Sequence, residues 1–158
     1  MRSLKKLSCS ETETMNLGKS IWRYLKAGDI VCLFGCLGAG KTILVKGMAK
    51  ACGIKPQEIV SPTFVLIREY LPKKNKRKML AFYHFDLYRL NNPRDILDLG
   101  YEEYFYGQGI SVVEWAEKLK GHLPREFLKI DIQVKDEYQR IIRLSAKGKH
   151  YRDILTKL

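Results

Sequence analysis

No apolar stretch in this 158-residue chain approaches the length of a membrane span, so no transmembrane helix is expected. The opening residues MRSLKKLSCSETE are basic and lack the apolar core that a secretory leader needs. Cysteine is scarce. Cys9, Cys32, Cys36 and Cys52 contain no C-x-x-C pair, which argues against a disulfide framework or a zinc site and for a reducing, cytoplasmic setting. His122 and His150 carry no pattern, and His84 reads as a packed or surface residue rather than a catalytic one. No repeat or low-complexity linker divides the chain, so residues 1–158 are read as one domain, long enough for a sizeable core. Acidic residues are few, 17 against 29 Lys and Arg, giving a net charge of +12. That balance suits a polyanionic partner, RNA or an acidic protein surface; the competing reading is a solvated basic face. The densest run, Lys73–Lys74–Asn75–Lys76–Arg77–Lys78, contains no aromatic for base stacking and reads first as an exposed hairpin tip.

Against these absences stands one dense motif. The apolar run Ile30–Phe34 leads directly into Gly35–Cys36–Leu37–Gly38–Ala39–Gly40–Lys41–Thr42, and an amphipathic segment beginning with Ile43 follows. This is a Walker A phosphate-binding loop in a strand–turn–helix context. Gly35, Gly38 and Gly40 let the backbone curl around phosphate oxygens with its N–H groups turned inward. The helix N-terminus adds positive potential. Lys41 reaches the β- and γ-phosphates, and the Thr42 hydroxyl holds Mg²⁺.

The rest of the chain reads as α/β. Ser10 and Glu13 form a capping box, and helical spacing predicts a first helix over 11–26. The post-loop helix runs from Lys41 to about Cys52, capped by Gly53 and ended by Pro56. Strands over 64–70 and 79–85 form an antiparallel hairpin. Asn92–Pro93 starts a short helix, a second covers 101–106, and Ile110–Glu114 is an apolar strand. Strands over 128–134 and 140–145 and a final helix after Gly148 complete the pattern. The expected fold is a P-loop NTPase-like three-layer sandwich around a mixed, mainly parallel sheet, with the nucleotide beyond the carboxyl end of the Ile30–Phe34 strand.

A phosphate loop needs an acid to complete the Mg²⁺ shell and a group to orient water. Asp86 and Glu114 each end an apolar strand, where a parallel sheet aims them at the phosphates; the alternative is that one merely caps its strand or pairs with Arg89. Thr63, after Ser61–Pro62, is a candidate γ-phosphate sensor, or else part of an ordinary turn. Trp115 suits the nucleotide's vicinity and the core equally.

The Gly35–Thr42 loop, SPTF at Ser61–Phe64, HFDLYRL at His84–Leu90 and VEW at Val113–Trp115, in that order and spacing, resemble the bacterial threonylcarbamoyladenosine biosynthesis ATPases, the TsaE (formerly YjeE) family. The resemblance covers nearly the whole chain. It implies a small cytoplasmic ATPase using ATP/ADP and Mg²⁺ and supporting threonylcarbamoylation of adenosine 37 in ANN-decoding tRNAs. Its implied partners are the transferase subunit and the paralogous partner subunit, which carry out the transfer. By the family pattern, Thr42 and Glu114 match Mg²⁺ ligands, Asp86 a second acid by the γ-phosphate, and Thr63 a switch-like threonine. Arg140 resembles the arginine beside the adenine, with Thr12 to Thr14 as the facing wall.

Two positions depart from the family. Cys36 stands where Asp is usual, so hydrolysis is expected to be slower or differently tuned while binding survives; Ile43 replaces a second threonine and loses one hydroxyl contact to the α-phosphate. The basic run Lys73–Lys78 looks longer than usual and could extend a partner or tRNA contact. Two other classes compete: a small-molecule or nucleoside kinase, for which no arginine-rich lid is recognisable, and a nucleotide-dependent binding module without turnover.

Overall fold

The computed structural model describes residues 3–62, 65–71, 80–92 and 94–158. Seven strands form one sheet: β1 (Ser3–Ser8), β2 (Ile30–Phe34), β3 (Ile67–Tyr70), β4 (Phe82–Asp86), β5 (Ile110–Glu114), β6 (Phe127–Val134) and β7 (Arg140–Lys147), in the order β1-β7-β6-β2-β5-β4-β3. The central four strands, β6, β2, β5 and β4, are mutually parallel. Antiparallel pairings, β3 to β4 on one side and β6–β7–β1 on the other, flank them. The parallel block is where the burial runs are continuous: β2 reads buried at all but its last residue and β5 at every residue. Strands covered on both faces lose the alternation that half-solvated strands show.

Helices α1 (Glu11–Trp22), α2 (Lys41–Cys52) and α5 (Lys149–Leu155) contribute to one hydrophobic cluster with Val31, Leu33, Val112 and Ile130. Helices α3 (Asp95–Asp98) and α4 (Tyr101–Phe105) cover the opposite face with Ile30, Cys32, Phe85 and Val113. The three layers are therefore those expected. Among the described residues no helix is long and apolar enough to cross a membrane.

Local chemistry explains the boundaries. The Ser10 side chain accepts from the Glu13 N–H at 3.1 Å, and the Glu13 carboxylate accepts from the Cys9 N–H at 2.7 Å. This anchors α1 as its sequence predicts. The helix stops at Trp22, short of residue 26, and Leu25 tucks fully buried into the core. Gly53 ends α2 at φ 95°, the left-handed cap position. α1 and α2 approach so closely that a Cβ at Gly47 would stand 2.0 Å from the Met15 carbonyl oxygen. This contact presses the helix carrying the phosphate loop against α1, and no side chain larger than hydrogen fits there.

The hairpin β3–β4 is antiparallel as predicted, with Ile67 opposite Phe85. The strand ranges are shorter than 64–70 and 79–85, and the predicted basic tip at Lys73–Lys78 lies outside the described residues, as do Thr63, Phe64 and Pro93. Asn92 caps the next turn by accepting from the Arg94 N–H at 3.0 Å. Strand β1 is not anticipated by the sequence reading. It adds to the β7 edge in antiparallel register, Ser8 opposite Arg140.

Candidate nucleotide and metal site

The carboxyl ends of β2, β4 and β5 converge on a cavity of about 910 Å³ above the phosphate loop. Its lining includes Leu37 to Ile43, Asp86, Glu114, Trp115 and Arg140, with Thr14 from α1 and Ser10 from its N-cap. The sequence places the loop by strand–turn–helix logic, and the backbone bears this out: Gly35, Gly38 and Gly40 take φ values of 140°, 74° and 104°. A Cβ at Gly35 would lie 2.4 Å from the Ile132 carbonyl oxygen, so that position is fixed by β6 as well as by the turn.

Lys41 is buried to 4 % exposure. Its Nζ donates to the carbonyl oxygens of Gly35 at 2.7 Å and Cys36 at 2.8 Å, and it lies 3.8 Å from the centroid of the Trp115 ring. Burial lowers its pKa below the usual 10.5, and the negative charges of Glu114, Glu117 and Asp86 act in the opposite direction. Trp115 is held at φ 59°, the left-handed region, so its ring covers the lysine at some backbone cost. Tyr88 extends this aromatic wall, with its ring 5.0 Å from that of Trp115.

Thr42, in the first turn of α2, directs its hydroxyl at Glu114. Its Oγ1 lies 3.0 Å from Oε1 and 2.9 Å from Oε2, so one proton is shared between two acceptors. Asp86 stands directly across from Glu114 in the parallel register. Both carboxylates are almost fully buried. The Tyr88 N–H donates to Asp86 Oδ1 at 3.0 Å, and the Ser61 hydroxyl donates to Asp86 Oδ2. Sheet alternation puts His84, Asp86, Val112 and Glu114 on the α2-side face. His84 Nε2 reaches Glu114 Oε1 at 2.8 Å.

Arg140 donates from Nε to the Ala39 carbonyl at 3.2 Å and from Nη1 to the carbonyls of Asp136, Glu137 and Gln139. It ties the β6–β7 hairpin to the phosphate loop at the cavity wall. On the facing wall the lining residues are Cys9, Ser10, Glu11 and Thr14, whereas Thr12 is exposed and does not line the cavity. The buried Thr14 hydroxyl lies 2.8 Å from Ser8 Oγ, so it braces the helix start. Cys36 is exposed, and Ile43 lines the cavity with an apolar side chain.

Four contributors escape sequence reasoning. His84 is a second support of Glu114, Ser61 is a loop hydroxyl on Asp86, and Glu137 and Tyr138 bring a hairpin tip to the cavity. Ser61 carried a signal, because it lies in the SPTF motif. The others depend on registers that only the folded sheet reveals.

The donor set can be tested against Mg²⁺. Among the described residues no group of three or more His, Cys, Asp or Glu is arranged to hold a metal. A dedicated all-protein cage is thus absent among them, while a hydroxyl and two carboxylates are grouped at the end of a phosphate loop. Magnesium favours this arrangement: oxygen donors, one or two carboxylates, and remaining positions left for phosphate and water. The residues therefore fit a Mg²⁺–nucleotide pair.

Comparison with known proteins accords with this geometry. Residues 8–142 match the family model of the threonylcarbamoyl adenosine biosynthesis protein TsaE. The chain is 38 % identical over 158 residues to the tRNA threonylcarbamoyladenosine biosynthesis protein TsaE of Bacillus subtilis strain 168, covering all of this chain and 95 % of that protein. It is 40 % identical over 128 residues to the protein of the same description from Treponema pallidum, covering 81 % and 90 % of the two chains. The crystal structure of Bacillus subtilis YdiB superposes with a TM-score of 0.82 at 35 % identity, over 99 % of this chain and 93 % of that one. The chain belongs to the TsaE family, and with that to the biosynthesis of threonylcarbamoyladenosine in tRNA.

Proposed function

Proceeding from that family membership, we propose that the protein binds ATP and hydrolyses it with Mg²⁺ in support of the transferase complex that modifies adenosine 37, without itself transferring the threonylcarbamoyl group. The observation that carries the reading is the Thr42 hydroxyl set against both oxygens of Glu114, with Lys41 beside it at the start of α2 and Asp86 one strand across.

The residues divide the work. Loop N–H groups from Gly38 to Thr42 and the α2 N-terminus bind phosphate. Lys41 neutralises charge between the β- and γ-phosphates. Thr42 and Glu114, with Asp86 nearby, would hold Mg²⁺, which would supply charge neutralisation at the phosphates. Asp86, fixed by Tyr88 and Ser61, orients the attacking water, and the Trp115–Tyr88 wall limits solvent around Lys41. Arg140 and the start of α1 form the walls where the base would rest. ADP is the product that remains on the same loop contacts.

A cytoplasmic location and docking on the transferase subunit and its paralogous partner complete the proposal. The basic surface offers a further contact for tRNA or for an acidic face of those partners. On the exposed side of the β6–β7–β1 sheet, Lys5 stands opposite Arg143, and Lys147 lies four residues further along β7.

Product analysis tests the reading against its rivals. Purified protein with ATP should release inorganic phosphate, and the transferase partners should accelerate the release. Phosphate appearing on an added metabolite would favour a kinase. ATP binding without turnover, partners included, would favour a binding module.

A further inference from the structure

His84 has 0 % exposure and lies outside the phosphate loop, yet its ring contacts the carboxylate that faces Thr42. An ionised carboxylate only accepts hydrogen bonds, so the 2.8 Å contact requires a proton on His84 Nε2. In the neutral ring Nδ1 then carries a lone pair, and Nδ1 is buried with no partner among the described residues. The ring therefore makes a single polar contact there, and that contact is Glu114.

The consequence for Glu114 is an asymmetry. Among the described residues Oε1 accepts from both Thr42 and His84, whereas Oε2 accepts from Thr42 alone. A carboxylate held by one donor rotates about its terminal bond; one held by donors from two elements does not. We infer that His84 is a positioning residue: it pins Oε1 of Glu114, fixes the carboxylate plane, and leaves Oε2 as the oxygen with capacity to spare for the metal of the nucleotide complex. This inference rests on the proposed Mg²⁺–nucleotide reading. It concerns a residue two positions before Asp86 on β4, placed diagonally to Glu114 by the β4–β5 register of His84 with Val112 and Asp86 with Glu114.

Supporting groups of this kind typically change metal affinity by about 10- to 100-fold when removed. The test compares His84→Leu, which removes the donor, with His84→Gln, whose amide N–H extends as far as Nε2, and with His84→Asn, whose amide is too short. Equilibrium binding of a fluorescent ATP analogue is measured in EDTA and across a Mg²⁺ titration, without relying on turnover. The Mg²⁺ concentration for half-maximal enhancement should rise roughly 10- to 100-fold in the Leu and Asn variants, stay near wild type in Gln, and leave binding in EDTA unchanged in all three. An unaltered Mg²⁺ response in Leu or Asn overturns the inference. So does an equal loss of binding with and without Mg²⁺, the mark of a packing role. If Leu fails to fold, the Asn–Gln contrast decides alone. Failure of wild-type protein to bind the analogue in either condition would instead refute the nucleotide reading itself.

Discussion

The Thr42 hydroxyl bridges both oxygens of Glu114, at 3.0 and 2.9 Å, across 72 residues of sequence. It joins the first turn of α2 to the end of β5, so the phosphate-binding half of the site and the acidic half share one hydrogen atom. Thr42→Ala should therefore weaken Mg²⁺-dependent nucleotide binding by roughly 10- to 100-fold, and Thr42→Ser should retain it. Calorimetric titration of ATP with and without Mg²⁺ distinguishes the two. Equal behaviour of Ala and Ser would remove the hydroxyl from the site.

Lys41 carries a burial cost. Burial depresses its pKa below the ordinary 10.5, so between that lowered value and 10.5 the unfolded chain holds more protons than the folded one. Raising pH through this window favours the fold; below it the penalty is present in full. Lys41→Met has no such penalty. The variant should be at least as stable as wild type near neutral pH, and its advantage should shrink as pH approaches 10.5. Its ATP affinity should fall by roughly 10- to 100-fold, the worth of a charge-assisted hydrogen bond of about 1.5–3 kcal/mol. Thermal melts at the two pH values and an ATP titration check both halves. A Met variant markedly less stable near neutrality would show that the ammonium supports the fold.

The loop glycines are not equivalent. Gly35 and Gly38 both have positive φ, but a Cβ at Gly35 meets the Ile132 carbonyl at 2.4 Å while one at Gly38 meets nothing within 4 Å. Gly38→Ala should cost only the left-handed strain, about 1–2 kcal/mol. Gly35→Ala adds displacement of β6 and should destabilise by more. Denaturant midpoints of the two variants measure the difference; equal losses would mean that the Ile132 contact yields freely.

Much of this was legible in the chain itself. The Walker A spacing located Lys41 and Thr42, and Gly53 marked the end of α2 to the residue. Asp86 and Glu114 stood out because each follows an apolar run, and they proved to be register partners. What stayed hidden depends on pairing between distant segments. His84 sits in a strand with one intermediate and four buried residues, so alternation could not say which face it occupies or what it meets. Strand β1 reads only as a basic N-terminal segment until β7 offers it an edge, because Lys5 and Lys6 suggest solvent rather than a sheet. Thr12 and Thr14 are interchangeable by motif; the helical turn sends Thr14 inward to Ser8 and leaves Thr12 exposed. Trp115 covers Lys41 only because its backbone adopts a left-handed conformation that local propensity disfavours.

Asp86 should separate binding from chemistry. Its carboxylate is held by Ser61 and by the Tyr88 N–H, two contacts that an amide oxygen can retain in part. Asp86→Asn should bind ATP within a few-fold of wild type and lose roughly 100-fold or more in turnover, the usual scale for a group that positions a proton transfer. Single-turnover phosphate release with the transferase partners present is the measurement. Normal release in that complex would assign the water to another residue.

Cys36 offers a gain of function. It is exposed at the start of the phosphate loop, and its carbonyl accepts from Lys41 at 2.8 Å. A neutral thiol is a weak hydrogen-bonding group, whereas a carboxylate there is a full acceptor. Cys36→Asp would also add negative charge close to Lys41, favouring its charged form against the burial that opposes it. Faster phosphate release with little change in ATP affinity is the expected outcome, and Cys36→Ser, neutral like the thiol, should keep the wild-type rate. If serine accelerates release as much as aspartate does, charge at this position is not what sets the rate. If neither variant changes it, the Cys36 side chain lies outside the reaction.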